Sequence, residues 1–294
     1  MHTAQALARE LGIDPSRNSG QNFLIDELVL ADIVAEAHIK KNENILEIGP
    51  GFGVLTQELV AAGANVVSVE LDSKFAKHLI KTFKDAPSFR LVRADIVSLL
   101  NQEISELFNG EPYRVVANIP YNITGKIIKK FVSSDTPKPA GLVLLVQKEV
   151  AERVCAQPGG MSLLALSVQL YARPKIAFEV SKKAFWPEPK VESSLLIIDD
   201  VSEIPNHPLT PFLRQAQDRL LIKEREVIDE KRFWQICRMG FASPRKQLRN
   251  NLAAGLHMEQ DAVKAALKRA KLKETSRAQE LAISDWMNLI HALA

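Results

Sequence analysis

Cysteine is scarce in this sequence, and long apolar runs are missing. Only Cys155 and Cys237 occur among 294 residues, and neither belongs to a CxxC pair or a Cys/His ligand pattern. The sequence therefore argues against a disulfide framework and predicts no metal site. The longest apolar run, residues 141–146, has the length of a strand, whereas a membrane span needs about 20 residues. The N-terminus lacks a basic segment followed by an apolar one, so we expect a cytoplasmic protein without membrane contact.

An excess of charge of one sign is also missing. Lys and Arg total 38 and Asp and Glu total 35, which gives a net charge of +3. This small total combines unlike parts, because residues 219–250 contain nine basic and four acidic side chains, a net charge of +5. Such a segment is typical of nucleic-acid binding, and a solvated helix face is the alternative.

What the sequence does contain is a regular alternation of strand and helix patterns. Five apolar segments predict strands separated by helices: 44–48, 65–70, 89–93, 114–118 and 141–147. Two more strands are predicted at 175–180 and 194–198. This alternation predicts βαβ units, and strands that are apolar on both faces predict a mostly parallel sheet covered by helices.

The composition changes near residue 200. The polar, proline-containing stretch 203–208 is typical of a linker, and the later segments have helical spacing: 211–229, 231–240, 245–252, 259–270 and 278–293. We therefore predict two domains, an α/β domain at 1–202 and an all-helical domain at 203–294.

A glycine-rich turn, Glu47–Gly53 (EIGPGFG), follows the first of these strands. Glycines there let a ligand approach the backbone, and Glu70, at the end of the next strand, stands where an acidic residue binds ribose hydroxyls. The GxGxG spacing and the Glu47 carboxylate favour a cationic ligand such as S-adenosylmethionine over a pyrophosphate. Asp95, after the third strand, suits an adenine amino group or a helix cap. A tight turn without a ligand is the alternative for the loop.

The tetrapeptide Asn118–Tyr121 (NIPY) ends the fourth strand, where ligands of open α/β sheets bind. Its chemistry suits methylation of an exocyclic amine whose lone pair is delocalised into a ring. The Asn118 side-chain oxygen and a main-chain carbonyl can hold the NH2 group, Pro120 stiffens the turn, and Tyr121 can stack on the base. Because a sulfonium is an excellent leaving group, the site needs positioning more than a strong base. An ordinary Asn-x-Pro turn is the alternative.

Six motifs occur in order along the chain: SGQNFL (19–24), EIGPGFGVLT (47–56), VELD (69–72), NIPYN (118–122), QKEVA (147–151) and FWPEPKVES (185–193). On these motifs the chain resembles the KsgA/RsmA family of small-subunit (16S) rRNA adenine N6,N6-dimethyltransferases, from about residue 20 to residue 252. The resemblance implies a class I methyltransferase fold, Rossmann-like with a mostly parallel seven-stranded sheet, and a small helical C-terminal domain. It implies S-adenosylmethionine as cofactor. It also implies dimethylation of two adjacent adenosines near the 3′ end of 16S rRNA in the 30S subunit, during ribosome biogenesis.

The resemblance also assigns residues to the site. The cofactor would contact Asn22, Leu24, Glu47, Gly49, Gly51, Glu70, Asp95, Ile96 and Asn118. The methylation site would comprise Asn118, Pro120, Tyr121 and Phe185, with the rings of Tyr121 and Phe185 on the two faces of a flipped adenine. Loop packing is the alternative for Phe185.

A further stretch resembles the family's RRKxLxNxL motif, in which Arg245, Lys246 and Arg249 would bind rRNA. We expect a monomer. Segment 214–230 is extra relative to the family and is predicted to form an added helix.

Other functions stay open at this point. A large-subunit (23S) rRNA adenine methyltransferase of the macrolide-resistance type shares the QNF and NIPY motifs. A ribosome-assembly factor without catalysis would keep the fold, and a dehydrogenase would require NAD binding.

Overall fold

The computed structural model describes residues 4–13, 22–133, 136–202, 229–243 and 245–293. The chain divides into two compact units, residues 1–152 with 172–203 and residues 153–171 with 204–294. Within the described ranges, every helix is too short or too polar to cross a membrane.

Seven of the nine described strands lie where the apolar segments predict them, and the two-residue strands at 23–24 and 185–186 were not predicted. The nine strands are β1 (Phe23–Leu24), β2 (Asn44–Ile48), β3 (Asn65–Glu70), β4 (Phe89–Arg93), β5 (Arg114–Asn118), β6 (Leu142–Gln147), β7 (Arg173–Val180), β8 (Phe185–Trp186) and β9 (Ser193–Asp199). Seven of them form one sheet in the order β4-β3-β2-β5-β6-β9-β7. The pairs from β4 to β6 are parallel, and β9 runs antiparallel to both of its neighbours. The predicted class I methyltransferase architecture is confirmed.

Helices stand before, between and after the parallel strands β2 to β6. They are α1 (Ala4–Glu10), α2 (Glu27–Ala37), α3 (Val54–Ala61), α4 (Ser73–Thr82), α5 (Asn101–Glu106), α6 (Thr124–Ile128) and α7 (Lys148–Val154). A 3-10 turn, Tyr121–Ile123, precedes α6, and a π-helical turn, Lys129–Ser133, follows it. Asp26 caps α2, because its side chain accepts from the backbone N–H groups of Leu28 and Val29.

The core of the first unit lies between the sheet and the helices. One apolar cluster joins Ile33 of α2 and Leu59 of α3 to Ile45, Val116 and Leu195 of the sheet. These side chains are at most 2% exposed, and each buried side chain of this size contributes roughly 1.5–3 kcal/mol. The core therefore fixes the carboxyl ends of β2, β3 and β5, where the conspicuous motifs stand.

A short antiparallel ribbon of β1 with β8 joins two distant motifs. Phe23 pairs with Trp186 and Leu24 with Phe185, and the backbone N–H of Ile25 donates to the Ala184 carbonyl at 2.8 Å. The ribbon brings the QNFL and FWPEP segments together, although 161 positions separate Leu24 from Phe185.

The second unit is helical. Its described helices are α8 (Leu163–Gln169), α9 (Glu230–Gly240), α10 (Leu248–Leu256), α11 (Gln260–Arg269) and α12 (Ile283–Ala292). Residues 153–171, which the sequence prediction placed in the first domain, join this unit. The backbone N–H groups of Gly159 and Met161 both donate to the Gln279 carbonyl, and the Tyr171 hydroxyl bonds to Glu230.

Several predicted element boundaries differ from the observed ones or lie outside the described ranges. The helix predicted to start at residue 245 begins at Leu248, because Gln247 is extended and the Leu248 N–H donates to the Ser276 carbonyl at 2.8 Å. The predicted linker 203–208 and the helix 211–229 lie outside the described residues, apart from Asp229 at its end. The boundaries 1–202 and 203–294 stay a prediction.

Candidate active site

The glycine turn between β2 and α3 has a backbone that only glycine adopts without strain. Gly49 and Gly51 have φ of 64° and 56°, in the left-handed region. A Cβ on Gly51 would also lie 3.0 Å from the Phe23 ring. The backbone N–H of Gly49 donates to the Val69 carbonyl at 3.0 Å, so the parallel pairing of β2 with β3 continues into the turn and fixes its start.

Glu70 ties the end of β3 to this turn. Its Oε2 accepts from the Gly51 N–H at 3.3 Å and its Oε1 from the Asp72 N–H at 2.8 Å. Burial raises the pKa of the Glu70 carboxyl, and the N–H donors of Asp72 and Gly51 lower it in part. Each carboxylate oxygen can accept a second hydrogen bond, so Glu70 keeps the capacity to accept from vicinal hydroxyls.

Glu47 is buried beneath the turn, with 1% of its surface exposed. Its Oε2 accepts from the Thr56 and Ser68 hydroxyls, each at 2.6 Å. Burial raises the pKa of the Glu47 carboxyl from 4.5 to about 7, against the lowering effect of these hydroxyls, and the nearby Glu70 charge adds to the rise. The two carboxyls make this end of the sheet electronegative at and above neutral pH.

Asn118 lies at the end of β5 with its amide oriented. The side-chain Nδ2 donates to the backbone carbonyl of Asn22 at 3.2 Å. A carbonyl can only accept, so the amide nitrogen must face it, and the Asn118 Oδ1 is turned the other way. The side-chain oxygen is therefore presented as an acceptor, as the sequence argument requires.

These groups surround one cleft. The predicted residues that line it are Asn22, Leu24, Glu47, Gly49, Gly51, Glu70, Asn118 and Pro120. A Cβ on Gly49 would lie 3.7 Å from the Pro120 ring, which shows how closely the glycine turn faces the NIPY segment. The predicted cofactor loop and the predicted methylation site thus share one cleft.

Four predicted site residues are not among those that line this cleft. Tyr121 lies beyond Pro120, and its hydroxyl is 2.7 Å from the Ser193 hydroxyl. Asp95 is exposed and accepts from the Val97 N–H at 2.9 Å, so its carboxylate closes a turn rather than capping a helix. Ile96 beside it is buried.

Phe185 is placed in the apolar core. It is 3% exposed and belongs to the cluster that holds Leu24, Val180 and Leu195. In this structure its ring packs inward and presents no face to the cleft, which matches the loop-packing alternative. Its stacking role stays a prediction that requires the ring to move.

Aromatic residues missing from the predicted site also line the cleft. The rings of Phe23, Phe52 and Phe75 form a cluster with centroids 4.5–5.5 Å apart, and Trp186 stacks on Phe23 at 6.4 Å. Phe23 and Phe52 stand inside motifs quoted from the sequence, so their position was visible there, whereas the signal for Phe75 was only its place at the start of α4. The three phenylalanines give the cleft an apolar part of its lining.

The donor set of the cleft suits a ligand that is cationic at one end and carries hydroxyls at the other. Two acidic side chains would repel a pyrophosphate, while Glu70 has acceptor capacity left for ribose hydroxyls and the aromatic rings offer apolar surface. The residues therefore fit S-adenosylmethionine. In the described parts of the chain, no group of three His, Cys, Asp or Glu side chains is arranged to hold a metal.

The predicted RNA-binding residues lie in the second unit, around the start of α10. Arg245 and Lys246 are exposed. The Arg249 guanidinium lies 3.8 Å from the Glu274 carboxylate, and its Nε is buried with no hydrogen-bond partner among the described residues. Arg249 is thus less available to a phosphate than the other two cations.

Comparison with known proteins gives consistent matches. The family model "Ribosomal RNA adenine dimethylase" matches residues 15–212. The chain is 37% identical over 270 residues to "Ribosomal RNA small subunit methyltransferase A" of Dehalococcoides mccartyi, covering 92% of this chain and 85% of that protein.

Two solved structures share the fold over most of the chain. The 23S rRNA methyltransferase ErmE aligns with a TM-score of 0.66 and 24% identity, over 92% of this chain and 99% of that one. A dimethyladenosine transferase from Plasmodium falciparum aligns with a TM-score of 0.67 and 24% identity, over 91% and 95%. At this identity they establish the architecture alone.

Proposed function

The chain belongs to the ribosomal RNA adenine dimethylase family, and from that premise we propose that it transfers methyl groups from S-adenosylmethionine to the N6 amine of adenosines in small-subunit rRNA. The observation that carries the proposal is the single cleft in which Glu70, the glycine turn and the oriented Asn118 amide meet. Donor-binding chemistry and amine-binding chemistry are adjacent there.

The donor half of the cleft holds the cofactor. S-adenosylmethionine supplies an electrophilic methyl group on a sulfonium. Glu70 accepts from the ribose hydroxyls, and the negative charge of Glu70, with that of Glu47 above about pH 7, stabilises the positive charge of the ligand.

The acceptor half orients the amine. The Asn118 Oδ1 accepts an N–H of the adenine amine and, with a main-chain carbonyl of the turn, holds the nitrogen lone pair out of the ring plane and in line with the methyl group. Asn22 does not touch the amine in this account. Its carbonyl fixes the Asn118 amide so that the oxygen, and not the nitrogen, faces the substrate.

The base is held by stacking. Tyr121 follows the rigid Pro120 and offers its ring to one face of an adenine that has left its helix, at least cost where the adenosine is unpaired. We further propose, from the family resemblance, that the targets are two adjacent adenosines near the 3′ end of 16S rRNA in the 30S subunit. The protein binds them as a monomer, with Arg245 and Lys246 on phosphates.

The large-subunit alternative has weaker support. Its structural counterpart is 24% identical, whereas relatives named for the small subunit are 32–37% identical over most of this chain. A non-catalytic assembly factor does not require an oriented Asn118 amide in a cleft with two carboxylates. An additional assembly role is compatible with catalysis.

Methyl transfer from tritiated S-adenosylmethionine to immature 30S subunits tests the proposal, with 50S subunits as the matched substrate. We expect incorporation into 16S rRNA. Incorporation into 23S rRNA alone would move the protein to the large-subunit class. RNA binding without any incorporation would make it an assembly factor.

A further inference from the structure

The hydroxyls of Tyr121 and Ser193 form a hydrogen bond between two motifs that are far apart in sequence. Their oxygens are 2.7 Å apart across 72 positions of the chain. Tyr121 belongs to the NIPY segment, and Ser193 closes the FWPEPKVES segment. Nothing in the proposed chemistry requires Ser193 to touch donor or base, so its contact with the stacking tyrosine needs its own explanation.

Ser193 is among the most firmly held residues of the unit. It is 0% exposed, and it begins β9, where it pairs with Gln147 of β6 and Val180 of β7. Its backbone therefore has neighbours on both sides in the sheet. The carboxylate of the preceding residue, Glu192, is occupied by the Lys182 N–H at 2.6 Å.

Tyr121, by contrast, stands at the start of a short helical element and not in the sheet. The 3-10 turn Tyr121–Ile123 is three residues long, its Ile123 N–H donates to the Pro120 carbonyl at 3.1 Å, and it continues directly into α6. Burial raises the pKa of the Tyr121 phenol, so the phenol stays neutral at physiological pH and can donate or accept. The hydroxyl bond fixes the far end of its ring.

We propose that Ser193 is a positioning residue for methylation, which orients the Tyr121 ring and thereby sets where the acceptor base stacks. The inference rests on the proposed function, because it assigns Tyr121 to the base. The serine acts only through the tyrosine. A sheet residue thus holds the hydroxyl end of a ring whose backbone belongs to the neighbouring 3-10 turn.

The test compares two neighbouring buried serines. Ser193→Ala removes the bond, and Ser194→Ala is the matched control, since Ser194 is also 0% exposed and its hydroxyl has no partner among the described residues. We expect Ser193→Ala to lower kcat for rRNA methylation roughly tenfold, with the KM for S-adenosylmethionine unchanged within about twofold. Ser194→Ala should match wild type. Equal kcat in all three proteins would overturn the proposal.

A double-mutant cycle separates positioning from folding. Tyr121→Phe keeps the ring and loses the same bond, so the Tyr121→Phe, Ser193→Ala double variant should be no slower than either single variant. Multiplicative losses, or a drop in the melting temperature of Ser193→Ala that accounts for its lost activity, would contradict the proposal.

Crystal structures keep this inference distinct from the proposed function. In Ser193→Ala the Tyr121 ring should be displaced or split between orientations, and in Ser194→Ala it should be unchanged. An undisturbed ring in Ser193→Ala would refute the positioning role even in a protein that methylates rRNA. A wild-type protein that transfers no methyl group, with a displaced ring in the variant, would refute the proposed function alone.

Discussion

At the scale of single residues, the orientation of Asn118 decides whether the cleft can hold an amine. Asn118→Asp keeps the shape and an acceptor oxygen, but its carboxylate would face the Asn22 carbonyl, which has no hydrogen to donate. We expect kcat to fall roughly 100-fold or more and S-adenosylmethionine binding to persist, because Glu70 and the glycine turn are untouched. Steady-state kinetics and calorimetry of both variants, Asn118→Asp and Asn118→Ala, measure this. Near-normal kcat in Asn118→Asp would remove the oriented amide from the account.

Glu47 gives the protein a pH dependence of stability. The pKa of its carboxyl rises from 4.5 to about 7 on folding, so the folded state binds the extra proton between these values. Its stabilising contribution is therefore complete below about pH 4.5 and is lost as pH rises to about 7. The full effect is on the order of 3 kcal/mol.

Glu47→Gln removes this titration while keeping the shape. The unfolding free energy of the variant, measured by denaturant titration, should rise relative to wild type as pH increases from about 4.5 to about 7. A constant difference across that window would mean that the Glu47 carboxyl is not the titrating group.

At the scale of elements, the turn between α9 and α10 depends on a buried amide. Asn251 Nδ2 donates to the Gly240 carbonyl at 2.6 Å and to the Ser243 carbonyl at 3.1 Å, and so closes the end of α9. Asn251→Ala leaves both carbonyls without this donor and should cost about 2–3 kcal/mol of unfolding free energy. Asn250→Ala, at the neighbouring partly exposed position, is the control and should cost less than about 0.5 kcal/mol. Thermal melts of the two variants compare them, and equal melting temperatures would exclude this role.

The sequence predicted most elements because their signals are local. Alternation of apolar segments located the strands from 44–48 to 194–198. The β1–β8 ribbon has no such signal, since two residues on each side pair across 161 positions. The burial of Phe185 follows from that pairing, so its inward ring could not be read from the FWPEP motif.

Within the site, residues with a local signal were predictable from the sequence, and contacts between distant segments were not. Residue types at strand ends pointed to Glu70 and Asn118, because the carboxyl ends of parallel strands meet at one edge. The Asn22 carbonyl that orients Asn118 and the Ser193 hydroxyl that bonds to Tyr121 are contacts between distant segments. Neither has a pattern in the sequence around it.

At the scale of the whole molecule, the net charge of +3 is unevenly distributed along the chain. The second unit carries the exposed cations Arg245 and Lys246 near the start of α10. Replacing both with Gln should weaken rRNA binding and flatten the slope of log K against log salt by about 1–2, because each phosphate contact contributes roughly 0.7–0.9. Filter binding at several salt concentrations gives the slope.

A charge-matched control keeps this salt test specific. Lys264→Gln with Lys268→Gln removes two cations from α11 of the same unit and should leave the slope unchanged. If the two double variants flatten the slope equally, the effect is one of net charge. An unchanged slope in the Arg245 and Lys246 variant would place the rRNA elsewhere.

We propose that the cleft of the first unit dimethylates adenine in small-subunit rRNA. The most direct test is mass spectrometry of nucleosides from 16S and 23S rRNA after incubation of subunits with the protein and S-adenosylmethionine, with Asn118→Ala as the inactive control. The account predicts N6,N6-dimethyladenosine in 16S rRNA, none above background in 23S rRNA, and none with the variant. Its absence from 16S rRNA, or its formation by Asn118→Ala, would contradict the account.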